Sequence, residues 1–376
     1  MLTDIRLSCR EGTARPRDWL TGSVPVAVSV EGDATAEPAR GHEVKAIVQH
    51  AYGAPQDVLR LAEVEMPVVG AEDVLVSVRA SSANPWDWHF IRGEPVLLRP
   101  TGLGGVRKPK FAVPGGDLAG TVERAGSSVA AFRPGDEVYG FGHGAFAEYI
   151  AVDQGSLAPK PGNLTFEQAA AVPLAAATAL QCLRAGGIQP GQHVLIIGAS
   201  GGVGTFAVQI AKQLGAQVSG VCSTGHVDLV RRLGAEQVID YTRQDFTRGA
   251  ARYDLALQLG GTYSPAAVKK VLTPRGTLIQ SFGDGSRWFG PVGNLIKAVA
   301  LNALAGQTLK SFTAKVTAQA LTEVRDLIES GSITPVIDRT YPLTDAAAAV
   351  QLVEEGSPAG KVVVVVEPPP PRLPPR

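Results

Sequence analysis

The run His193-Val194-Leu195-Ile196-Ile197-Gly198-Ala199-Ser200-Gly201-Gly202-Val203-Gly204-Thr205-Phe206 holds the residues whose types and spacing point most directly to chemistry. Its glycines let the main chain turn sharply and bring N–H groups up to phosphate oxygens, and a helix start behind them adds partial positive charge. Ser200, Gly201, Gly202, Val203 and Gly204 are therefore expected to cradle a pyrophosphate. The alternative is a glycine turn that only packs a helix against a sheet, and Ala199 stands where the fingerprint's first glycine is usual. Context favours the phosphate site. Val194 to Ile197 has strand length and β-branched character, Val203, Ala207, Ile210, Ala211 and Leu214 recur at helical spacing, and a second strand, Gln217 to Cys222, follows at βαβ spacing. A side chain at Gly202 or Gly204 is expected to exclude the phosphate while leaving the chain folded.

Sites that prefer NAD usually hold an acid about twenty residues past the glycine turn, bound to the ribose 2′-hydroxyl. No Asp or Glu lies between Thr205 and Val227; Ser223 and Thr224 stand at the strand end instead. Their hydroxyls can donate to a 2′-phosphate, with His226, Arg231 or Arg232 nearby, so NADPH is the expected cofactor. The alternative for Thr224 is a cap on the following helix. Metal chemistry lacks ligands: Cys9, Cys182 and Cys222 are scattered, and a lone His89 or His143 cannot supply the three or four that zinc needs. No metal is expected, and His143 reads as a loop residue.

The elements that must position these residues divide the chain. Residues 1–43 show no sustained period and read as a loosely ordered extension. Short strand candidates follow at Val44 to His50, Val58 to Val64, Asp73 to Ala80, Leu118 to Arg124, Glu137 to Phe141 and Phe146 to Val152, separated by turn signals, as in a small β-barrel. Leu164 to Arg184 reads as a helix that Pro173 should interrupt. After the glycine turn, strands and helices alternate through Phe282, the pattern of a doubly wound parallel sheet, with Gly215 and Gly234 as left-handed helix caps. A helix is predicted over Lys315 to Ser330, and the apolar strand Val362 to Val366 is expected to return to the β domain. The fold class is thus α/β, with a barrel over 44–165 and 313–367, a dinucleotide domain over 166–312 and a Pro-rich tail over 368–376.

At 376 residues, 45% hydrophobic and with a formal net charge of +0, the chain can bury a large core and presents no basic footprint for nucleic acid or membrane surfaces. It has no secretory h-region and no apolar run of spanning length. A cytoplasmic protein is expected, with a small molecule as substrate and a homodimer as its assembly.

The chain resembles the medium-chain dehydrogenase/reductase superfamily, and within it the zinc-free quinone oxidoreductase branch. Ser82-Ala83-Asn84-Pro85-Trp86-Asp87, Pro114 to Gly120, Arg133-Pro134-Gly135-Asp136-Glu137-Val138, Gly144-Ala145-Phe146-Ala147-Glu148-Tyr149, the glycine turn, Val238-Ile239-Asp240-Tyr241 and Gly360-Lys361-Val362-Val363 carry the likeness. It implies a GroES-like β-barrel catalytic domain built from both chain ends, a Rossmann domain between them, and hydride transfer from a nicotinamide cofactor to a quinone or to the C=C bond of an α,β-unsaturated carbonyl. Zinc relatives place Cys near Asn84 and His-Glu at Gly116-Asp117. The resemblance further implies that Thr178 touches the cofactor, that Tyr241 packs near adenine, and that Leu259-Gly260 and Phe282-Gly283 border the ribose and nicotinamide.

For catalysis, Asn84 is the first candidate donor to the developing oxyanion, the alternative being an amide that fixes its loop. His89 stands where some relatives have Tyr and either delivers a proton or lines the pocket; Tyr52 is a further donor candidate, and Asp87 reads as structural. Trp86, Trp88 and Phe90 either accept a planar substrate or fill the domain interface. Other readings of the same site are reduction of a specialised-metabolite enone or imine, and an NADPH-binding sensor without turnover.

Overall fold

The computed structural model describes residues 43–94, 96, 99, 105–281, 306–356 and 358–367. The extension up to residue 42, the Pro-rich tail, and Phe282 and Gly283 lie outside the described residues; Glu43, read with the extension, instead opens the first strand.

Six parallel strands form one sheet: β8 (His193–Ile197), β9 (Gln217–Cys222), β10 (Gln237–Asp240), β11 (Tyr253–Gln258), β12 (Leu272–Gln280) and β13 (Thr308–Ser311). Their spatial order, β10-β9-β8-β11-β12-β13, is that of a Rossmann sheet, and it reverses between β8 and β11. From Val194 to Ile197 the first strand is fully buried, which is why its sequence is a continuous apolar run. Phe206, Ala207, Ile210 and Ala211 of helix α5 (Gly202–Gln213) join the same core as the alanine-rich helix α4 (Pro173–Ala185), whose small side chains admit it closely. Pro173 occupies the first turn of α4 and separates it from α3 (Phe166–Ala170), because proline lacks the N–H a continuing helix would need. Gly215 and Gly234 have φ of +78° and +111°, the left-handed conformation expected of helix caps.

The second sheet contains β3 (Asp73–Ala83), β4 (Asp117–Ala125), β5 (Glu137–Phe141), β6 (Tyr149–Asp153), β7 (Leu157–Pro159), β14 (Ile337–Pro342) and β15 (Lys361–Val365). Its path runs β14-β15-β3-β4-β5-β7, with β6 also on β3. β15 pairs antiparallel with β3, Val362 opposite Ala83, so the chain end returns to this sheet as its sequence suggests. A ribbon of β1 (Glu43–Val48) and β2 (Arg60–Glu65) is tied on by Ile47 N–H donating to Phe146 O. The late helix, Ala318–Glu329, starts three residues after Lys315 because Thr317 caps it, its Oγ1 accepting from Ala320 N; Lys315 is exposed. Among the described residues no helix is long and apolar enough to cross a membrane.

Candidate active site

The glycine turn sits at the carboxyl ends of β8 and β11, where the strand order reverses and a Rossmann sheet opens its crevice. Gly198 is left-handed at φ +86°, Gly201 precedes α5, and Leu259-Gly260 closes over the turn as Leu259 N–H donates to Ile197 O. The three turn glycines differ in what they leave room for. A β-carbon on Gly204 would stand 2.0 Å from Gly198 O, one on Gly202 would stand 2.9 Å from Lys361 Cδ, and one on Gly201 would meet nothing nearer than Gly198 O at 3.5 Å. Gly201 thus faces open space at a helix N-terminus, a cradle that fits a pyrophosphate. Gly204 is needed by the turn itself. The expectation that a side chain there spares the fold is corrected on this ground.

At the adenosine end, Ser200 Oγ lies 3.1 Å from His226 Nδ1, which lies 3.4 Å from Ser223 Oγ. Thr224 does not cap the next helix, which starts at Val227; its Oγ1 donates to Asp240 Oδ2 at 2.6 Å. Asp240 ends β10 and also accepts from Thr242 N and Oγ1, at 2.9 and 2.7 Å. The Thr224 hydroxyl first, then these donors and the Arg243 guanidinium, hold its carboxyl below the usual range. An acid thus stands at the end of the neighbouring strand β10, opposite Cys222 of β9. Tyr241 beside it is half exposed, its N–H on Cys222 O, with its ring at the strand ends. Thr178 is buried in α4, where its hydroxyl donates to Leu174 O at 2.6 Å.

Behind the turn lies a buried polar network. Gly360 N–H donates to Ser200 O at 2.8 Å, which lays Lys361 across the start of α5. Lys361 Nζ donates to Asp117 Oδ2 at 3.1 Å, to Ala83 O at 3.4 Å and to Asn84 Oδ1. Asp117 accepts further hydrogens from Ser82 Oγ, Asn84 Nδ2 and Leu174 N, at 2.8, 2.9 and 2.8 Å. This multiple donation is what a buried carboxylate requires. Asn84 Nδ2 also donates to Ser82 O at 3.2 Å. Both amide hydrogens and the amide oxygen of Asn84 are thus spent inside the protein, and the side chain is 4% exposed. The free oxyanion donor expected of Asn84 is replaced by a residue that fixes the network, because the amide meets a buried charge pair first. Among the described residues no three His, Cys, Asp or Glu side chains gather as a metal site.

An aromatic cleft borders this network. Helix α2 (Pro85–Arg92) places Trp86 and Phe90 one turn apart on the cleft side. Opposite, the His143 ring stacks on Phe111 at 4.2 Å and 8°, and its centroid lies 6.3 Å from that of Trp86. Partial burial, then the Lys110 charge, lowers the His143 pKa. Asp87 also lines the cleft. It accepts from Asn84 N at 2.7 Å, and burial pushes its carboxyl up to about 7 despite that bond.

Neither of the two other expected donors is free in the cleft. The His89 ring lies against Trp88, 3.6 Å between centroids, outside the cleft lining, and burial lowers its pKa. Helical geometry separates it from Trp86 and Phe90. Trp88 packs on the barrel core rather than in the cleft. Tyr52 does line the cleft, but its hydroxyl donates to Gly105 O at 2.7 Å and accepts from Gly105 N at 2.9 Å. The sequence alone gives Lys361, Asp117 and Asp240 no role of their own and makes His143 only a loop residue. One signal was legible for Lys361: a lone cation heading an all-valine buried strand demands a buried counter-charge.

Residues 70–162 match the family model described as alcohol dehydrogenase GroES-like domain, and residues 233–364 that described as zinc-binding dehydrogenase. The chain is 31% identical over 335 residues to 2-methylene-furan-3-one reductase of Solanum lycopersicum, covering 85% of this chain and 78% of that protein. It is 32% identical over 355 residues to the chloroplastic NADPH-dependent alkenal/one oxidoreductase of Arabidopsis thaliana, covering 90% and 83%. Among solved structures, the quinone oxidoreductase from Coxiella burnetii superposes with a TM-score of 0.76 at 29% identity, covering 87% of this chain and all of that one. With a Rossmann sheet, a returning barrel strand and these relatives, the chain belongs to the quinone oxidoreductase-like branch of the medium-chain dehydrogenase/reductase superfamily and is an NAD(P)H-dependent oxidoreductase.

Proposed function

We propose that the protein oxidises NADPH to reduce a quinone or the C=C bond of an α,β-unsaturated carbonyl, without a metal. The observation that carries this reading is the Lys361 ammonium lodged between Asn84 and Asp117, beside a cleft walled by flat rings. A positive charge bonded to the main chain already fills the place where a catalytic cation would need ligands. The acceptor class is supported by the alkenal/one, methylene-furanone and quinone names of the relatives. When bound, the nicotinamide supplies the hydride, and one proton from water or a side chain completes the two-electron reduction. Residues Ser200 to Gly204 hold the pyrophosphate, and Trp86, Phe90 and His143 orient the acceptor. The buried Cys182 and Cys222 thiols, pushed up to about 12 and about 11 by burial, stay protonated and are not nucleophiles in this reaction. NADPH oxidation with a panel of quinones and enones in the presence of a chelator tests the reading. Turnover is expected on at least one acceptor class; tight NADPH binding with none would favour a sensor, and loss of turnover on chelation would reinstate a metal.

Preference for the 2′-phosphate rests on Ser223 and His226, with Thr224 drawn towards Asp240. The Asp240 charge works against a phosphate there, so a modest preference for NADPH is expected. Asp240→Asn should raise the ratio of kcat/KM for NADPH over NADH by on the order of fivefold, by removing one negative charge at short range. An unchanged ratio would place the 2′-phosphate away from Asp240, and a wild-type ratio favouring NADH would remove the NADPH assignment.

A further inference from the structure

Gln49 follows β1 and is held by its own N–H, which donates to Ala112 O at 2.7 Å. Its side chain lines the aromatic cleft, is 3% exposed, and its Nε2 has no hydrogen-bond partner among the described residues. A buried amide donor left unpaired is costly to the fold, and such groups call for a specific account. The neighbouring polar groups are committed: the Tyr52 hydroxyl to Gly105, an Asp87 oxygen to Asn84 N, and Lys110 Nζ above the Phe111 ring at 5.4 Å. Gln49 lines the cleft with a buried donor that has no partner among the described residues.

We propose that Gln49 is the acceptor-recognition residue, its Nε2 donating to a carbonyl oxygen of a flat conjugated substrate lying against the Trp86 and His143 rings. The proposal rests on the quinone or enone reading above and names the residue that recognises the reacting oxygen. A neutral amide suits this task. It donates without changing charge, and its bond strengthens as negative charge grows on the oxygen, which lowers the barrier rather than only tightening binding.

The test compares wild type with Gln49→Leu, which keeps the bulk and removes the donor. The probes are 1,4-naphthoquinone and naphthalene, the same rings with and without carbonyls. Their binding to the cofactor-free protein is followed by tryptophan fluorescence, and naphthoquinone reduction is followed with NADPH. Gln49→Leu is expected to weaken naphthoquinone binding at least fivefold, to leave naphthalene binding within twofold, and to lower kcat at least tenfold. NADPH affinity should not move. The melting temperature should hold or rise, because an unpaired polar group is replaced by an apolar one; a merely structural role predicts a fall. Equal naphthoquinone binding by the two proteins, or no binding by wild type, would overturn the assignment. If wild type binds naphthoquinone through Gln49 yet reduces neither quinones nor enones, the reductase reading falls and the recognition role stands.

Discussion

A Gly204→Val protein is expected to lose nicotinamide-cofactor binding by at least 100-fold and to melt at lower temperature. The clash is with the turn's own main chain, 2.0 Å to Gly198 O and 2.8 Å to Ala199 C, and no side-chain rotation relieves it. The turn must open, which removes the N–H groups that would meet the pyrophosphate. Gly201→Ala separates the two effects: its β-carbon meets no protein atom nearer than 3.5 Å, so stability should stay within about 0.5 kcal/mol while cofactor affinity falls. Cofactor titration by fluorescence with parallel thermal melts checks both. Undiminished affinity in both variants would move the pyrophosphate away from this turn.

Removing the charge at Lys361 should be the most destabilising single change in the barrel sheet. Lys361→Met leaves the Asp117 carboxylate buried with only its neutral donors, and breaking a fully buried pair from one side typically costs about 3–5 kcal/mol. A second change, Asp117→Asn, removes the orphaned charge, so the double variant should be more stable than Lys361→Met alone. That non-additivity is the signature of a coupled pair. Denaturant titrations of the two single variants and the double variant measure it, and a loss below about 1 kcal/mol for Lys361→Met would show that water already reaches the network. Because Lys361 also crosses the start of α5 against Gly202, the same variant should weaken cofactor binding.

Periodicity and turn chemistry along the chain were enough to read the elements. The apolar blocks at Val194 to Ile197 and Gln217 to Cys222, the break at Pro173 and the left-handed glycines at 215 and 234 each follow from rules acting within a few residues. The glycine turn was legible for the same reason, since its purpose is encoded in what its residues lack. Family resemblance then supplied the order of domains. Hydrogen-bond partners between distant segments follow no such local rule. Asn84 looked like a free donor because its partners, Asp117 and Lys361, lie 33 and 277 residues away. Thr224 looked free to meet a phosphate because the carboxylate it bonds arrives 16 residues later on β10.

The sequence by itself determined the Rossmann strand, the glycine turn and the returning terminal strand, because backbone propensity and burial pattern are properties of neighbouring residues. The tertiary structure decided which polar atoms are spent and which stay open. It committed the Asn84, Tyr52 and Thr178 side chains to partners inside the protein, turned His89 onto Trp88 outside the cleft, and left Gln49 Nε2 in the cleft without a partner among the described residues. The physical reason is that each donor pairs with the nearest acceptor that burial leaves it, and strand order and helix docking choose that acceptor.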